Sequence, residues 1–134
     1  MSIQRVRRLA EAARQEGLDA VVLMPGANLH YLLGLTIQLS ERLALASIPR
    51  EADGCTIVLP ALEQPRAEAE YRGGLPITWC PWSDDEGPRT ALRRAASSLI
   101  GRTIGVEFTT MRVLELRALE EAASVRAADA DPAL

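Results

Sequence analysis

Apolar and polar residues follow one another along the chain in two patterns, which predict strands and helices in turn. Short apolar runs bounded by glycine, proline or acidic residues are typical of buried strands, and the run 20–24 followed by Pro25-Gly26 is one of them. Other segments repeat their apolar residues every three or four positions, as a helix with one buried face does. The strands predicted in this way are 20–24, 43–49, 55–60, 76–82, 103–107 and 124–128.

Four main helices and one short helical turn fill the intervals between these strands. The first helix follows Ser2, the second spans 61–72, the third runs through Leu92 to Gly101, and the last follows Thr109 or Thr110. The first helix has one apolar face, which comprises Ile3, Val6, Leu9, Ala10 and Ala13. The alternation predicts an α/β three-layer sandwich, with a mixed sheet of five or six strands and helices on both faces.

Local signals predict where several of these elements begin and end. Gly17 suits the position after the first helix, where a left-handed residue closes the last turn. Asp53-Gly54 predicts the turn of an antiparallel hairpin between the second and third strands. Pro65 falls in the first turn of helix 61–72, where its missing amide does little harm. We expect side-chain caps at the other helix starts from Ser2, from Ser83 or Asp85, and from Thr109 or Thr110.

The composition favours a single globular domain, 1–134, and excludes several classes of function. The net charge of −3, without a basic stripe, argues against a nucleic-acid partner. No apolar run reaches the roughly 18–20 residues that cross a bilayer, and none follows the basic N-terminus as in a signal peptide, so we expect no membrane partner and a cytoplasmic location. The chain contains no lysine, which excludes a Schiff-base lysine and a P-loop lysine on it.

The two cysteines, Cys55 and Cys80, lie in apolar strand-like runs, which predicts buried free thiols. Trp79-Cys80-Pro81-Trp82 begins like a redox motif, but the second cysteine of such a motif is absent. The acidic triplet 84–86 precedes a helix, where capping and solvation are a simpler interpretation than a cation site.

The segment 28–34 has the most informative pattern in the chain. Asn28 is a plausible helix N-cap, Tyr31 and Leu32 are expected to point inward, and Gly34 is expected to end the turn with a left-handed residue. Asn-x-x-Tyr-Leu-x-Gly after a strand resembles the N-terminal domain of the creatinase, prolidase and Xaa-Pro aminopeptidase family. Leu33 departs from that pattern, since the family usually has threonine or serine before the glycine.

Other short segments of this chain also resemble sequences of the family, and they occur in the same order as in the family. These segments are Gly17-Leu18-Asp19 before the first strand, Leu62-Glu63 with Arg66-Ala67 after a strand that ends in proline, Ile104-Gly105-Val106-Glu107, and Asp129-Ala130-Asp131-Pro132. In the family, a phrase like the last one comes just before the linker to a catalytic domain with the pita-bread fold.

The resemblance implies a non-catalytic domain that shapes an active-site entrance and supports a homodimer. Family members hold two divalent metal ions (Mn, Co or Zn) with two aspartates, one histidine and two glutamates, all in a C-terminal catalytic domain that is absent from this chain. It therefore implies no catalytic and no metal-binding residue here, and a proline-containing peptide as the parent's substrate. Two alternatives stay open: a free-standing ligand-binding or regulatory module with this fold, and an unrelated α/β domain.

The resemblance also suggests candidate site residues. In dimeric members the loop after the Asn-x-x-Tyr motif approaches the neighbouring active site, and this loop is 36–42 here. Arg42 is our candidate for binding a substrate carboxylate, because a guanidinium binds carboxylates bidentately. His30, at the variable position of the motif, is the second candidate, although a surface residue is the simpler interpretation. The expected dimer contacts are Trp79, Trp82 and Leu39.

Overall fold

The computed structural model describes residues 3–134, so the cap predicted at Ser2 lies outside the described residues. The helices are α1 (Ile3–Gln15), α2 (Ala27–Leu33), α3 (Gln64–Glu70), α4 (Arg89–Ala95) and α5 (Val113–Ala123). The strands are β1 (Ala20–Leu23), β2 (Leu45–Pro49), β3 (Cys55–Pro60), β4 (Ile77–Trp82), β5 (Thr103–Val106) and β6 (Arg126–Asp129). Single turns of 3-10 helix occupy Ala61–Glu63, Ser97–Leu99 and Asp131–Ala133.

The strands form one mixed sheet in the order β4-β3-β2-β1-β5-β6. β2 is antiparallel to both of its neighbours, β1 and β3. The remaining pairs, β1 with β5, β5 with β6 and β3 with β4, are parallel. The hairpin predicted from Asp53-Gly54 is confirmed, although Ala52 is the residue of its turn that takes a left-handed conformation, with φ of 55°.

β1 lies inside the sheet and is covered on both faces, so all four of its residues are buried. Side chains alternate between the faces of a strand, and a strand covered twice therefore needs an unbroken apolar run. One core contains Val21 and Leu23 with residues of α1, α2 and α3, and the other contains Ala20 and Val22 with residues of α4 and α5. The predicted three-layer α/β sandwich is confirmed.

Two predicted boundaries are confirmed by their hydrogen bonds and dihedral angles. Gly17 has φ of +76°, and the amides of Gly17 and Leu18 donate to the carbonyls of Arg14 and Ala13. This pair of bonds is the Schellman motif, which satisfies the last carbonyls of α1. Pro65 lies in the first turn of α3, as predicted. That helix ends at Glu70, earlier than expected, because Tyr71 is already extended.

The side-chain caps expected for the last two helices are wrong. Neither Ser83 nor Asp85 caps α4, which follows Pro88, and the amides of Glu86 and Gly87 bond instead to the carbonyl of Ser83 in a separate turn. Likewise α5 starts after Arg112 without a side-chain cap. Thr109 and Thr110 lie in the turn before it, where the amides of Thr110 and Met111 donate to the carbonyl of Glu107.

The prediction of buried free thiols is confirmed for both cysteines. Cys55 is almost completely enclosed in the core, and this burial raises the pKa of its thiol to about 12. Burial also raises the pKa of Cys80.

We expect Gly105→Ala to destabilise the fold, because the residues packed against Gly105 in β5 leave no room for a Cβ atom. A Cβ there would lie 2.5 Å from Leu18 Cδ1 and 2.9 Å from Ala130 Cβ. Leucine's end atom can move, but the alanine Cβ is fixed to the backbone, so we expect a loss of about 1–3 kcal/mol in the free energy of unfolding. Urea denaturation measures it. Gly74→Ala is the control, since its Cβ would meet only the flexible end of Ile3 at 3.2 Å, and an equal loss in both variants would contradict this explanation.

The buried thiols also predict a pattern of chemical reactivity. With a pKa of about 12, Cys55 is ionised to only about one part in ten thousand at pH 8, and the thiolate is the reactive form. We expect a thiol reagent such as DTNB to label neither cysteine of the folded chain and both in 8 M urea. Rapid labelling of one equivalent under native conditions would contradict the burial described above.

Candidate functional site

A buried carboxylate connects the segments that meet at the carboxyl ends of β1 and β5. Glu107 directly follows β5 and is 4% exposed. One of its oxygens accepts the amide of Met24 at 2.7 Å, and the other accepts Nδ2 of Asn28 at 2.8 Å. Glu107 therefore connects the end of β1, the first turn of α2 and the end of β5, and it sets the position from which the motif 28–34 begins.

Asn28 does not cap α2, which corrects the prediction. The helix starts at Ala27 after Gly26, no side chain caps it, and Asn28 lies inside its first turn. The side-chain amide of Asn28 instead donates to Glu107, whose buried oxygen would otherwise lack a partner. Sequence reasoning missed this role of Glu107. The available signals were an acidic residue directly after a buried apolar strand and its place in the phrase Ile104-Gly105-Val106-Glu107.

The remaining motif residues agree with the prediction in two of three cases. Leu32 is buried, and Gly34 ends the helix with φ of 70° while its amide donates to the carbonyl of His30 at 2.8 Å. Tyr31 is 55% exposed, so the expectation that it points inward is wrong. Its ring lies under the guanidinium of Arg5, 4.2 Å from the ring centroid, and this cation–π contact lets the aromatic side chain stay at the surface.

The segment 34–44 has no regular secondary structure, and an ion pair between a buried glutamate and a half-buried arginine holds its far end. Glu115 of α5 is fully buried and accepts hydrogen bonds from the guanidinium of Arg112. The same guanidinium donates to the carbonyls of Ser40 and Arg42, and Glu115 also accepts the amide of Ala44 at 3.4 Å. The hydrogen bond to Glu115 raises the pKa of Arg112. These bonds satisfy the buried charges and hold the backbone on either side of Arg42.

Arg42 itself forms a bidentate ion pair with Asp84. Its Nε lies 3.0 Å from Oδ1 and its Nη2 lies 2.9 Å from Oδ2. Hydrogen bonding to Arg42 lowers the pKa of Asp84, and hydrogen bonding to Asp84 raises the pKa of Arg42. Glu41 lies 3.5 Å from Nη1. The interpretation of the triplet 84–86 as helix-capping acids is thus wrong for Asp84, whose carboxylate binds a residue 42 positions away.

The two predicted contact residues lie in separate shallow clefts. Arg42 lines a cleft of about 270 Å³, together with Gln38, Ser40, Pro60, Leu62 and Glu63. His30 is exposed on α2 and lines another cleft, of about 470 Å³, with Pro25, Gly26, Ala27, Leu35, Thr36, Ile37 and Leu39. Leu39, which lines the cleft beside His30, is 47% exposed.

Of the three predicted dimer contacts, Leu39 is exposed, whereas Trp79 and Trp82 are not. Trp82 is 8% exposed and its indole N–H donates to the carbonyl of Leu43 at 3.0 Å, so Trp82 belongs to the core. Trp79 is half-buried and packs against the core as well. Three exposed apolar residues that the sequence did not single out directly follow Glu107 or Arg112 in the chain. With Leu39 we call them the apolar rim, which consists of Leu39, Phe108, Val113 and Leu114.

Within residues 3–134, no group of three or more histidine, cysteine, aspartate or glutamate side chains is arranged to hold a metal ion. None of the helices in this part of the chain has the length and apolar character needed to cross a membrane.

The Glu107 contacts make a prediction about stability. Both partners of Glu107 are donors, so in Glu107→Gln the new amide group would have to point its own donor at one of them. We expect a loss of about 1–3 kcal/mol in the free energy of unfolding, measured by urea denaturation. Asn28→Asp should also destabilise, because it places a second carboxylate beside Glu107. In the double variant the new amide can donate to the new carboxylate, so the two losses should not add. Strictly additive losses would contradict the direct contact.

Comparison with known proteins identifies the family and the relatives of this chain. The family model described as the Creatinase/Prolidase N-terminal domain matches residues 5–134. Among curated proteins, a probable dipeptidase PepE of Mycobacterium tuberculosis is 32% identical over 85 residues, which are 63% of this chain and 22% of that protein.

Solved structures give the same fold. Dipeptidase PepE from Mycobacterium ulcerans is 29% identical with a TM-score of 0.79, over 98% of this chain and 34% of that one. The Creatinase/Prolidase N-terminal domain of an X-Pro dipeptidase from Streptococcus pyogenes has a TM-score of 0.81 at 20% identity and covers 96% of this chain and 94% of that one, a likeness of fold. The chain spans about a fifth to a third of the PepE proteins it matches. The match over 5–134 assigns this chain to the creatinase/prolidase N-terminal domain family.

Proposed function

We propose that this chain is the non-catalytic N-terminal domain of a metal-dependent Xaa-Pro dipeptidase. The observation that supports the proposal most is the domain match over 5–134, together with relatives that are named dipeptidases. In this proposal a separate C-terminal catalytic domain binds two divalent ions (Mn, Co or Zn), which activate a water molecule for hydrolysis of a proline-containing peptide. The cytoplasmic location stays a prediction.

The domain's own role in this proposal is to shape the entrance of the active site and to support a homodimer. The apolar rim supports this role, because each of its four side chains is 46–68% exposed, and large apolar side chains left at a surface favour contact with another protein. Arg112, which pairs with Glu115 of α5, donates to the carbonyl of Ser40 and so holds the loop next to Leu39. A fixed loop loses little conformational entropy when a second surface packs against it.

We further propose that Arg42 binds the free carboxylate of the peptide. The cleft beside it combines the guanidinium with apolar side chains, since Pro60 and the 86% exposed Leu62 line it too. A carboxylate next to an apolar ring is the chemistry of a C-terminal proline. His30, exposed beside the neighbouring cleft, is the second candidate for a contact with the same peptide.

The activity is tested by comparing this 134-residue chain with the product of the complete reading frame. Both are incubated with an Xaa-Pro dipeptide and Mn²⁺, Co²⁺ or Zn²⁺. We expect turnover by the longer product, lost on addition of EDTA, and none by the chain of residues 1–134. Turnover by this chain alone would contradict the proposal, and a reading frame that stops at residue 134 would favour a free-standing module.

The role of Arg42 makes a second prediction for the full-length enzyme. Arg42→Ala should raise KM for an Xaa-Pro dipeptide by about tenfold or more, since hydrogen bonds to charged groups contribute about 1.5–3 kcal/mol. The same change should leave KM for the corresponding Xaa-Pro amide, which lacks the carboxylate, unchanged. Arg14→Ala is the matched control, because Arg14 also pairs with a surface carboxylate, that of Glu11, and neither residue lines the Arg42 cleft. Unchanged kcat/KM for the dipeptide would remove Arg42 from the site.

A further inference from the structure

The ion pair of Arg42 and Asp84 has the geometry of a bound ligand. The two oxygens of Asp84 accept from Nε and Nη2 of one guanidinium, at 3.0 and 2.9 Å. This parallel pair of hydrogen bonds is the arrangement in which arginine binds any carboxylate, whether it belongs to a side chain or to a peptide terminus. Asp84 therefore occupies one of the bidentate edges that an incoming carboxylate needs.

The charges around Arg42 oppose the approach of another anion. Asp84 and Glu41 both lie beside the guanidinium, so one positive charge faces two negative ones. A third carboxylate would meet a net negative charge at a distance where unit charges interact appreciably. An external carboxylate must then displace one of the two, and only Asp84 holds a bidentate edge.

The surroundings allow such an exchange. The backbone around Arg42 is held by Arg112, so the guanidinium can change partner while the loop stays in place. The side chain of Asp84 is 65% exposed, and that of Arg42 is 38% exposed, so either group can enter water when the pair opens. Exposed ion pairs of this kind are weak, and replacing one shifts an equilibrium by only about 1.5- to 5-fold.

We infer that Asp84 is an internal competitor for the carboxylate site of Arg42. It lowers the affinity of Arg42 for every external carboxylate, and it thereby favours ligands that make further contacts in the adjacent cleft. The inference rests on the proposed function of Arg42, and it gives Asp84 a role opposite to that of a residue that positions Arg42 for binding.

The sign of the effect of Asp84→Asn distinguishes these roles. We propose to follow the Nε–Hε signal of Arg42 by NMR in this chain, titrated with N-acetyl-L-proline at constant ionic strength. If Asp84 competes, Asp84→Asn should increase the apparent affinity by about 1.5- to 5-fold. Neutral N-acetyl-L-prolinamide should cause no such shift. Asp85→Asn removes the same charge from the neighbouring residue, which has no contact with Arg42 among the described side chains, and should change the affinity less.

The remaining outcomes overturn the inference in distinguishable ways. If Asp84→Asn binds the probe equally or more weakly, or if Asp85→Asn gives the same increase, Asp84 is not a competitor, while the carboxylate role of Arg42 stands. If the Arg42 signal responds in neither variant by more than that of Arg14, which is also paired with an exposed acid, both the competition and the proposed role of Arg42 fail.

Discussion

The structure around the motif depends on the burial of one carboxylate, that of Glu107, with a hydrogen-bond donor on each of its oxygens. Glu107 accepts from the backbone of Met24 and from the side chain of Asn28, so it connects two neighbouring parallel strands with the helix that follows one of them. An ionised group removed from water is stable only with such partners. The position of α2, and hence of the loop after Gly34, follows from this contact.

A second buried acid, Glu115, helps to hold the backbone of the segment 34–44. Glu115 and Arg112 of the α5 region bind each other and the backbone at Ser40, Arg42 and Ala44. Irregular segments of this length are usually mobile, because few buried contacts hold them. Here Arg112 and Glu115 hold the far end of the segment, and the amide of Thr36 donates to Glu70 near its start. Its exposed side chains, Leu39 and Arg42 among them, are therefore presented from a defined backbone.

This arrangement fits a domain that assists chemistry without performing it. The helices cover both faces of the sheet, so the residues left for other molecules lie on the outer surfaces of the helices and on the loops beyond the strand ends. They include the apolar rim, an arginine already bound to an internal carboxylate, and an exposed histidine. Such groups bind and orient partners or peptides, and a separate domain can then supply the reacting groups.

The sequence by itself determined the strands, the main helices, the hairpin and the glycines that end α1 and α2, because each depends on residues a few positions apart. Only the tertiary structure decided the partners of the polar side chains. Asn28 bonds to Glu107, Arg42 to Asp84 and Trp82 to Leu43, and these pairs are 79, 42 and 39 positions apart. A local cap competes with every donor and acceptor that folding brings near, and a window of a few residues contains no information about those groups.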